Sequence, residues 1–182
     1  MSLPLCPLKP FVSSFYIELH AASAFSFLQG ASLPEALVDR AAELGYSAMA
    51  LLDRDGVYGL PRFHKAALAA GIRPIVGAEL TVRNLELRTK NLELGTKNRA
   101  QFLLPVLCES AEGYRNLCRL ITRLKLGAPK GAGCIALDDL APYANGLVCL
   151  TGGSNGPLAR AVAKGERDTA RGLLERLVAI FG

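Results

Sequence analysis

The chain has 182 residues, of which 51% are apolar and 20% are charged, so it can bury a hydrophobic core and is not a disordered tail. Lysine and arginine number 21 against 16 aspartate and glutamate residues, and the net charge of +5 permits an anionic partner without requiring one. Neither a membrane-spanning apolar run nor a secretory signal is evident, which predicts a cytoplasmic protein with no membrane partner.

The cysteines are odd in number and include no C-x-x-C pair, which disfavours both a disulfide framework and a zinc ribbon. Their positions are Cys6, Cys108, Cys118, Cys134 and Cys149. Reduced thiols in a cytoplasm are the expectation that follows.

Strand-like and amphipathic helical segments alternate along the chain. Strands are predicted at 16–20, 47–52, 72–78, 101–108 and 146–151, and helices at 32–44, 59–70, 110–125 and over the last thirty residues. Ser32 with Glu35 matches a capping box at the start of the first helix, and Gly45 ends it. The alternation predicts an α/β fold of βαβ units around a parallel sheet, either flat or closed into a barrel.

Two segments interrupt this alternation. Residues 84–90 are nearly repeated by 91–97, and their apolar–polar alternation predicts an extended hairpin arm in a locally duplicated connection. Residues 127–133 are rich in glycine and predict a flexible basic loop.

Chemically useful side chains follow successive predicted strands. They are His20, the segment Asp53-Arg54-Asp55-Gly56, and Glu79. Reactive groups of βα folds gather at the carboxyl ends of strands, and histidine with carboxylates is a ligand set that suits a divalent metal. The alternative is that each is an ordinary capping or ion-paired residue.

Basic residues form a stripe on the predicted helix at 110–125 and continue into the following loop. They are Arg115, Arg119, Arg123, Lys125 and Lys130, which are candidates for nucleic-acid binding through phosphates. A solvated helix face opposite a packed one explains the same pattern, and no aromatic residue interleaves the stripe to stack on bases.

Four motifs in order resemble the PHP (polymerase and histidinol phosphatase) domain, in the form found at the N-terminus of bacterial C-family DNA polymerases, the DNA polymerase III alpha subunits. The matching segments are 19–32, 51–59, 71–79 and 112–122. The stretches 25–32 and 128–131 are similar to the error-prone branch of these polymerases. Each motif alone is weak, but their shared order is specific.

The resemblance implies a PHP-type distorted seven-stranded β/α barrel, of which this chain would lack the C-terminal side. Residues 1–15 would then be an N-terminal extension, and 16–182 an incomplete PHP-like domain with the duplicated segment 84–97 inserted. An incomplete barrel would leave apolar strand edges bare, so self-association of the truncated chain is expected.

The metal ligands that the resemblance implies are only partly present. His20, Asp53 and Glu79 match ligand positions, whereas Ala22, Gln29 and Arg54 stand where relatives carry ligands. The resemblance therefore implies a degenerate, vestigial metal site with no confident catalytic residue. One hypothesis is that the Arg54 guanidinium replaces the missing metal charge between the carboxylates, and the other is that Arg54 points to solvent.

The resemblance implies a parent protein that is a DNA-directed DNA polymerase, a nucleotidyltransferase of DNA replication and repair synthesis. This chain would lack the polymerase module, so its own role is expected to be structural, with no cofactor. Its partners would be the remainder of the alpha subunit and, through it, DNA. The alternative is a free-standing metal-dependent phosphoesterase or 3'-5' exonuclease, which would use zinc, manganese or magnesium.

Overall fold

The computed structural model of the protein describes residues 16–83, 101–129, 131–154 and 156–182. The strands in these ranges are β1 (Glu18–Ala21), β2 (Ala48–Arg54), β3 (Arg73–Arg83), β4 (Gln101–Cys108), β5 (Ile135–Ala136) and β6 (Leu147–Cys149). The helices are α1 (Pro34–Glu43), α2 (Leu60–Ala69), α3 (Ala111–Leu126), α4 (Pro157–Ala163) and α5 (Arg167–Phe181), with a 3₁₀ helix at Leu137–Tyr143. Within these ranges, every helix is too short or too polar to cross a membrane.

The strands form one mixed sheet in the order β1-β2-β3-β4-β6, with β5 beside the end of β3. Strands β1, β2 and β3 are parallel, as predicted, but β4 is antiparallel to β3, and β6 is antiparallel to β4. The prediction of a wholly parallel sheet is therefore wrong. Arg83 pairs with Gln101, so the chain leaves β3 and enters β4 at the same end of the sheet, where a parallel neighbour would need a crossover.

The predicted hairpin arm at 84–97 lies outside the described residues. So does the proposed N-terminal extension at 1–15. The described sheet runs in linear order from β1 to β6, and its closure into a seven-stranded barrel stays a prediction.

Helices cover the sheet through two main apolar clusters. Alternate residues of β3, Ala78, Leu80 and Val82, pack in one buried cluster with leucines of α3 and α5. Met49 and Leu51 of β2 pack in the other with side chains of α1 and α2. Burial of these side chains fixes the parallel strands side by side, so the residues that follow each strand meet at one edge of the sheet.

The start of α1 differs from the prediction. The helix begins at Pro34 with Leu33 at the N-cap position, and no side chain caps it, so the predicted capping box of Ser32 and Glu35 is wrong. Proline has no N–H that needs a cap. The Glu35 carboxylate instead accepts a hydrogen bond from Arg62 Nε of α2 at 2.6 Å, so it is engaged with the neighbouring helix.

The four cysteines in the described ranges, Cys108, Cys118, Cys134 and Cys149, carry free thiols. Burial raises the pKa of Cys108 to about 12 and that of Cys149 to about 12. A thiol of such high pKa is a poor nucleophile, because the thiolate is the reactive form.

Candidate functional site

His20 and Glu79 meet at the carboxyl ends of the parallel strands. The Nε2 atom of His20 lies 3.0 Å from Oε1 of Glu79. His20 belongs to β1 and Glu79 to β3, with β2 between them in the sheet, so this contact crosses the intervening strand. Two side chains that match metal-ligand positions of the resembled family are thus hydrogen-bonded directly to each other.

Glu18 adds a second carboxylate beside His20. Its Oε1 accepts a hydrogen bond from the backbone N–H of His20 at 2.8 Å, and its Oε2 accepts one from the Tyr16 hydroxyl at 2.8 Å. The hydrogen bond to Glu79 raises the pKa of His20 above its ordinary value of 6.5 against the opposing effect of partial burial, and attraction to Glu79 and Glu18 adds to the rise. Sequence reasoning missed Glu18, although its i, i+2 spacing from His20 in a strand was the available signal.

Asp53 is buried, at 1% exposure, and neutral hydrogen-bond donors surround its carboxylate. Oδ1 accepts from the Ser23 backbone N–H at 2.9 Å, from the Ser23 hydroxyl at 2.8 Å and from the Ser26 hydroxyl at 2.9 Å. Oδ2 accepts from the Gly59 N–H at 3.2 Å, and the Ser23 hydroxyl lies 3.0 Å from it. Hydrogen bonds to neutral donors thus replace the water that the carboxylate has lost, and they offset the cost of burying its charge without a cation.

Both serine hydroxyls are held so that they donate to Asp53. The Ser23 Oγ accepts the Phe25 N–H at 3.2 Å, and the Ser26 Oγ accepts the Arg54 N–H at 2.9 Å. Since each hydroxyl has one proton and here accepts from the backbone, its proton is free to point at the carboxylate. Two serines three residues apart, directly after a predicted strand, were the sequence signal for this arrangement, and sequence reasoning did not use it.

The contact between the Gly59 backbone and the Asp53 carboxylate requires a residue without a side chain at position 59. A Cβ built on Gly59 would lie 2.6 Å from Asp53 Oδ2 and 2.9 Å from Ser23 Oγ. Both distances are shorter than van der Waals contact allows. The close approach of the Gly59 N–H to the carboxylate therefore depends on glycine.

Arg54 lies next to Asp55. Its Nε is 3.9 Å from Asp55 Oδ2, and the Asp55 carboxylate also accepts the backbone N–H and the hydroxyl of Thr81, each at 2.7 Å. Asp55 reaches Thr81 through a left-handed backbone conformation with φ of 48°. The hypothesis that the Arg54 guanidinium replaces the metal charge between the carboxylates is therefore wrong, since the described partners of Asp53 are neutral groups, Glu79 contacts His20 and Arg54 lies beside Asp55.

The residues present do not fit the metal cluster that the family resemblance implies. Across the described ranges, no three His, Cys, Asp or Glu side chains are grouped so that they could hold a metal ion. At the unmatched positions, Gln29 is exposed and its backbone N–H binds the Ser26 carbonyl, and Ala22 has no ligand atom in its side chain.

A cleft of about 560 Å³ opens beside these strand ends. The lining residues come from the loop after β1, the end of β2 and the residue after it, β3, the start of β4, the end of α3 and the loop that follows α3. They are Phe25, Ser26, Phe27, Arg54, Asp55, Thr81, Gln101, Lys125, Gly131, Ala132 and Gly133. Lys125 places its Nζ 5.3 Å from the centre of the Tyr58 ring. Neither His20 nor Glu79 is among the lining residues, so the cleft is adjacent to their contact and separate from it.

The basic stripe on α3 is partly engaged with protein groups. Arg119 donates to the Asn116 side chain at 3.2 Å, and Arg123 pairs with Asp139 at 3.0 Å. Lys125 alone of the candidates lines the cleft, and Lys130 lies outside the described residues. Contact of Arg115 and the rest of this stripe with phosphates stays a prediction.

Comparison with known proteins identifies the family. The model of the PHP domain matches residues 18–182. An error-prone DNA polymerase of Cutibacterium acnes is 41% identical over an alignment 182 residues long, which covers 98% of this chain and 15% of that protein. An error-prone DNA polymerase of Corynebacterium efficiens is 46% identical over 118 residues, which are 65% of this chain and 9% of that protein.

One solved structure is similar to part of this chain. It is an amidohydrolase from Chromobacterium violaceum with bound sulfate and no metal, 27% identical, with a TM-score of 0.44 over 61% of this chain and 34% of that one. The chain spans 15% or less of the two polymerases above, and the family match covers nearly all of its described residues. This chain belongs to the PHP domain family.

Proposed function

We propose that this chain is the N-terminal PHP-like domain of an error-prone DNA polymerase of the DNA polymerase III alpha type. The names of the relatives and the small share of their length that this chain spans support this assignment. Nucleotidyl transfer, in replication and repair synthesis in the cytoplasm, belongs to the remainder of that polymerase. The remainder of the polymerase is thus the partner of the domain, and DNA reaches it through the parent protein.

We propose further that the domain is structural and that its metal site is degenerate. The observation that carries this proposal is the set of neutral donors from Ser23, Ser26 and Gly59 around the Asp53 carboxylate. Both carboxylate oxygens are already engaged, so a cation would have to displace these donors. His20 supplies a positive charge to Glu79 in its protonated form, which takes the place of a bridging metal.

Calorimetric titration with zinc and with manganese tests the degenerate site. We expect no tight stoichiometric uptake, and no hydrolysis of a generic phosphodiester above that of the Glu79→Ala variant. Tight uptake that Glu79→Ala and His20→Ala abolish, together with hydrolysis that both variants abolish, would instead establish the metal-dependent phosphoesterase or exonuclease of the alternative hypothesis.

The structural role has its own test in a full-length polymerase that carries this domain. Asp53→Asn should lower the thermal midpoint and the polymerase activity together, because it damages the fold of the domain. Glu79→Ala should leave polymerase activity close to the parent value. A polymerase that keeps full stability and activity with Asp53→Asn would contradict the structural role.

A further inference from the structure

We infer that an aromatic and basic rim of the cleft binds single-stranded nucleic acid without cleaving it. The aromatic–basic rim consists of the cleft-lining residues Phe25, Phe27, Arg54 and Lys125, together with Tyr58, whose ring lies beside Lys125. This activity goes beyond the structural role proposed above and does not depend on it. The rim also differs from the α3 stripe predicted from the sequence, with which it shares only Lys125.

The rings of the rim are available for stacking. Phe27 is 82% exposed, Tyr58 is 55% exposed and Phe25 is 39% exposed. An exposed phenylalanine ring is unfavourable in water, and its flat face matches the π-face that every base presents. Sequence reasoning found no aromatic residue within the α3 stripe, whereas the fold brings Phe25 and Phe27 to the cleft and places the Tyr58 ring beside Lys125.

Cations accompany two of the rings. Lys125 Nζ lies 5.3 Å from the centre of the Tyr58 ring, and the Arg62 guanidinium carbon lies 5.8 Å from the centre of the Phe25 ring. Cation–π contact of this kind holds the ring and the positive charge together. The Arg62 charge is paired with Glu35, so Arg54 and Lys125 are the rim cations that lie near the phosphates of a strand stacked on the rings. Stacking combined with nearby positive charge is how single strands are bound without sequence preference.

The carboxylate that lines the cleft belongs to Asp55, and it already has partners within the protein. Asp55 accepts two hydrogen bonds from Thr81 and lies 3.9 Å from Arg54 Nε, so its charge is partly balanced within the protein. Arg54 keeps 41% of its side chain exposed. Among the described residues, Lys125 contacts the ring of Tyr58 and not a carboxylate. The balance of charge along the rim is therefore positive.

The loop that carries Phe25 and Phe27 is fixed before any ligand arrives. Ser26, between them, bonds to the buried Asp53, and the backbone N–H groups of Gln29 and Gly30 both bond to the Ser26 carbonyl. Binding to a fixed loop loses little conformational entropy, which favours a weak stacking interaction. The hydrogen bond from Ser26 to Asp53 thus also fixes the conformation of the loop that carries Phe25 and Phe27.

A single strand suits the rim better than a duplex does, because only unpaired bases present free faces to side-chain rings. Cleavage is not expected, since the cleft lining contains neither His20 nor Glu79 and its carboxylate, Asp55, is hydrogen-bonded to Thr81. The inferred activity is capture of a strand, with no bond formed or broken.

Fluorescence anisotropy with the 182-residue chain and a labelled short oligothymidine, in EDTA and low salt, tests the inference. We expect binding that weakens with salt, with no shortening of the oligonucleotide. Phe27→Leu should weaken binding by about fivefold or more because it removes the ring but keeps an apolar side chain, and Phe27→Trp should restore it. Lys125→Glu should weaken binding and reduce the slope of log affinity against log salt concentration. Arg171→Glu on α5 makes the same change of net charge away from the cleft and is the matched control.

Each contrary result overturns the inference. These results are no binding at low salt, equal binding by Phe27→Leu and the parent chain, or equal displacement of the oligonucleotide by polyglutamate, which would show attraction to any polyanion. Loss of binding in Arg115→Glu but not in Lys125→Glu would assign the contact to the α3 stripe. Circular dichroism melts of each variant check that the fold is intact.

Discussion

The hydroxyl of Ser26 lies 2.9 Å from Oδ1 of Asp53, within a loop whose tip carries the exposed Phe27. The same hydroxyl accepts the N–H of Arg54 at 2.9 Å, the residue that follows Asp53 in the chain. One serine thus joins the loop after β1 to the end of β2 through both its donor and its acceptor. This relationship explains how the Asp53 carboxylate can stay buried.

Replacing Asp53 tests the contribution of these hydrogen bonds to stability. Asp53→Asn turns an acceptor oxygen into an NH₂ group that faces the donors of Ser23, Ser26 and Gly59, and we expect a loss of about 3 kcal/mol in unfolding free energy. Urea denaturation measures the loss. Asp39→Asn on the exposed surface of α1 is the matched control and should change stability by less than about 0.5 kcal/mol. Equal effects of the two substitutions would show that the buried carboxylate contributes little.

Two glycine substitutions should have opposite signs. Gly59→Ala places a methyl group 2.6 Å from Asp53 Oδ2 and should destabilise the fold by about 1–3 kcal/mol. Gly172→Ala in α5 meets nothing within 4 Å and should stabilise the fold by about 0.5–1 kcal/mol, because alanine favours helix. Thermal melts of the two variants give the comparison. If Gly59→Ala were neutral, the contact around Asp53 would be looser than described.

The contact of His20 with Glu79 should make stability depend on pH. The pKa of His20 is raised in the folded state above 6.5, so the stabilisation is fully present below 6.5 and is lost as pH rises through the folded-state pKa. The difference in thermal midpoint between the parent chain and His20→Gln should therefore be largest at low pH and shrink above neutrality. His64→Gln, on the exposed face of α2, is the control. A difference that grows with pH would contradict the assignment of a protonated imidazole.

Two serines before helices should differ in their contribution to stability. The Ser110 Oγ accepts the Gly113 N–H at 3.1 Å and caps α3, so Ser110→Ala should cost about 1 kcal/mol. Ser32 caps nothing by its side chain, so Ser32→Ala should be nearly neutral. Chemical denaturation of both variants separates a real cap from one suggested by sequence alone. A loss at Ser32 equal to that at Ser110 would restore the predicted capping box.

Periodicity predicted most of the helices and strands because their apolar residues are buried on one side. The helix that follows Ser110 and the strand at Gln101–Cys108 are close to their predicted positions. The antiparallel direction of β4 was not predicted, because its near-continuous apolar run is the pattern typical of a parallel strand that is covered on both faces. The two-residue strand β5 was missed because it is too short to show a period.

The sequence indicated some members of the candidate site but not their hydrogen bonds. Strand ends indicated His20, Asp53 and Glu79, whereas Glu18, Ser23 and Ser26 were missed. That Asp53 binds serine hydroxyls while Arg54 binds Asp55 depends on side-chain direction and on the left-handed backbone at Asp55. Neither appears in residue spacing, so the position of Arg54 beside Asp55 could not be predicted.

The donors that surround Asp53 have a consequence for where this domain can work. A fold whose buried carboxylate needs a metal ion loses stability when chelators or scarcity remove that ion. Here serine and glycine supply the same stabilisation from within the chain. We expect the domain to keep its shape when a stressed cell runs short of transition metals.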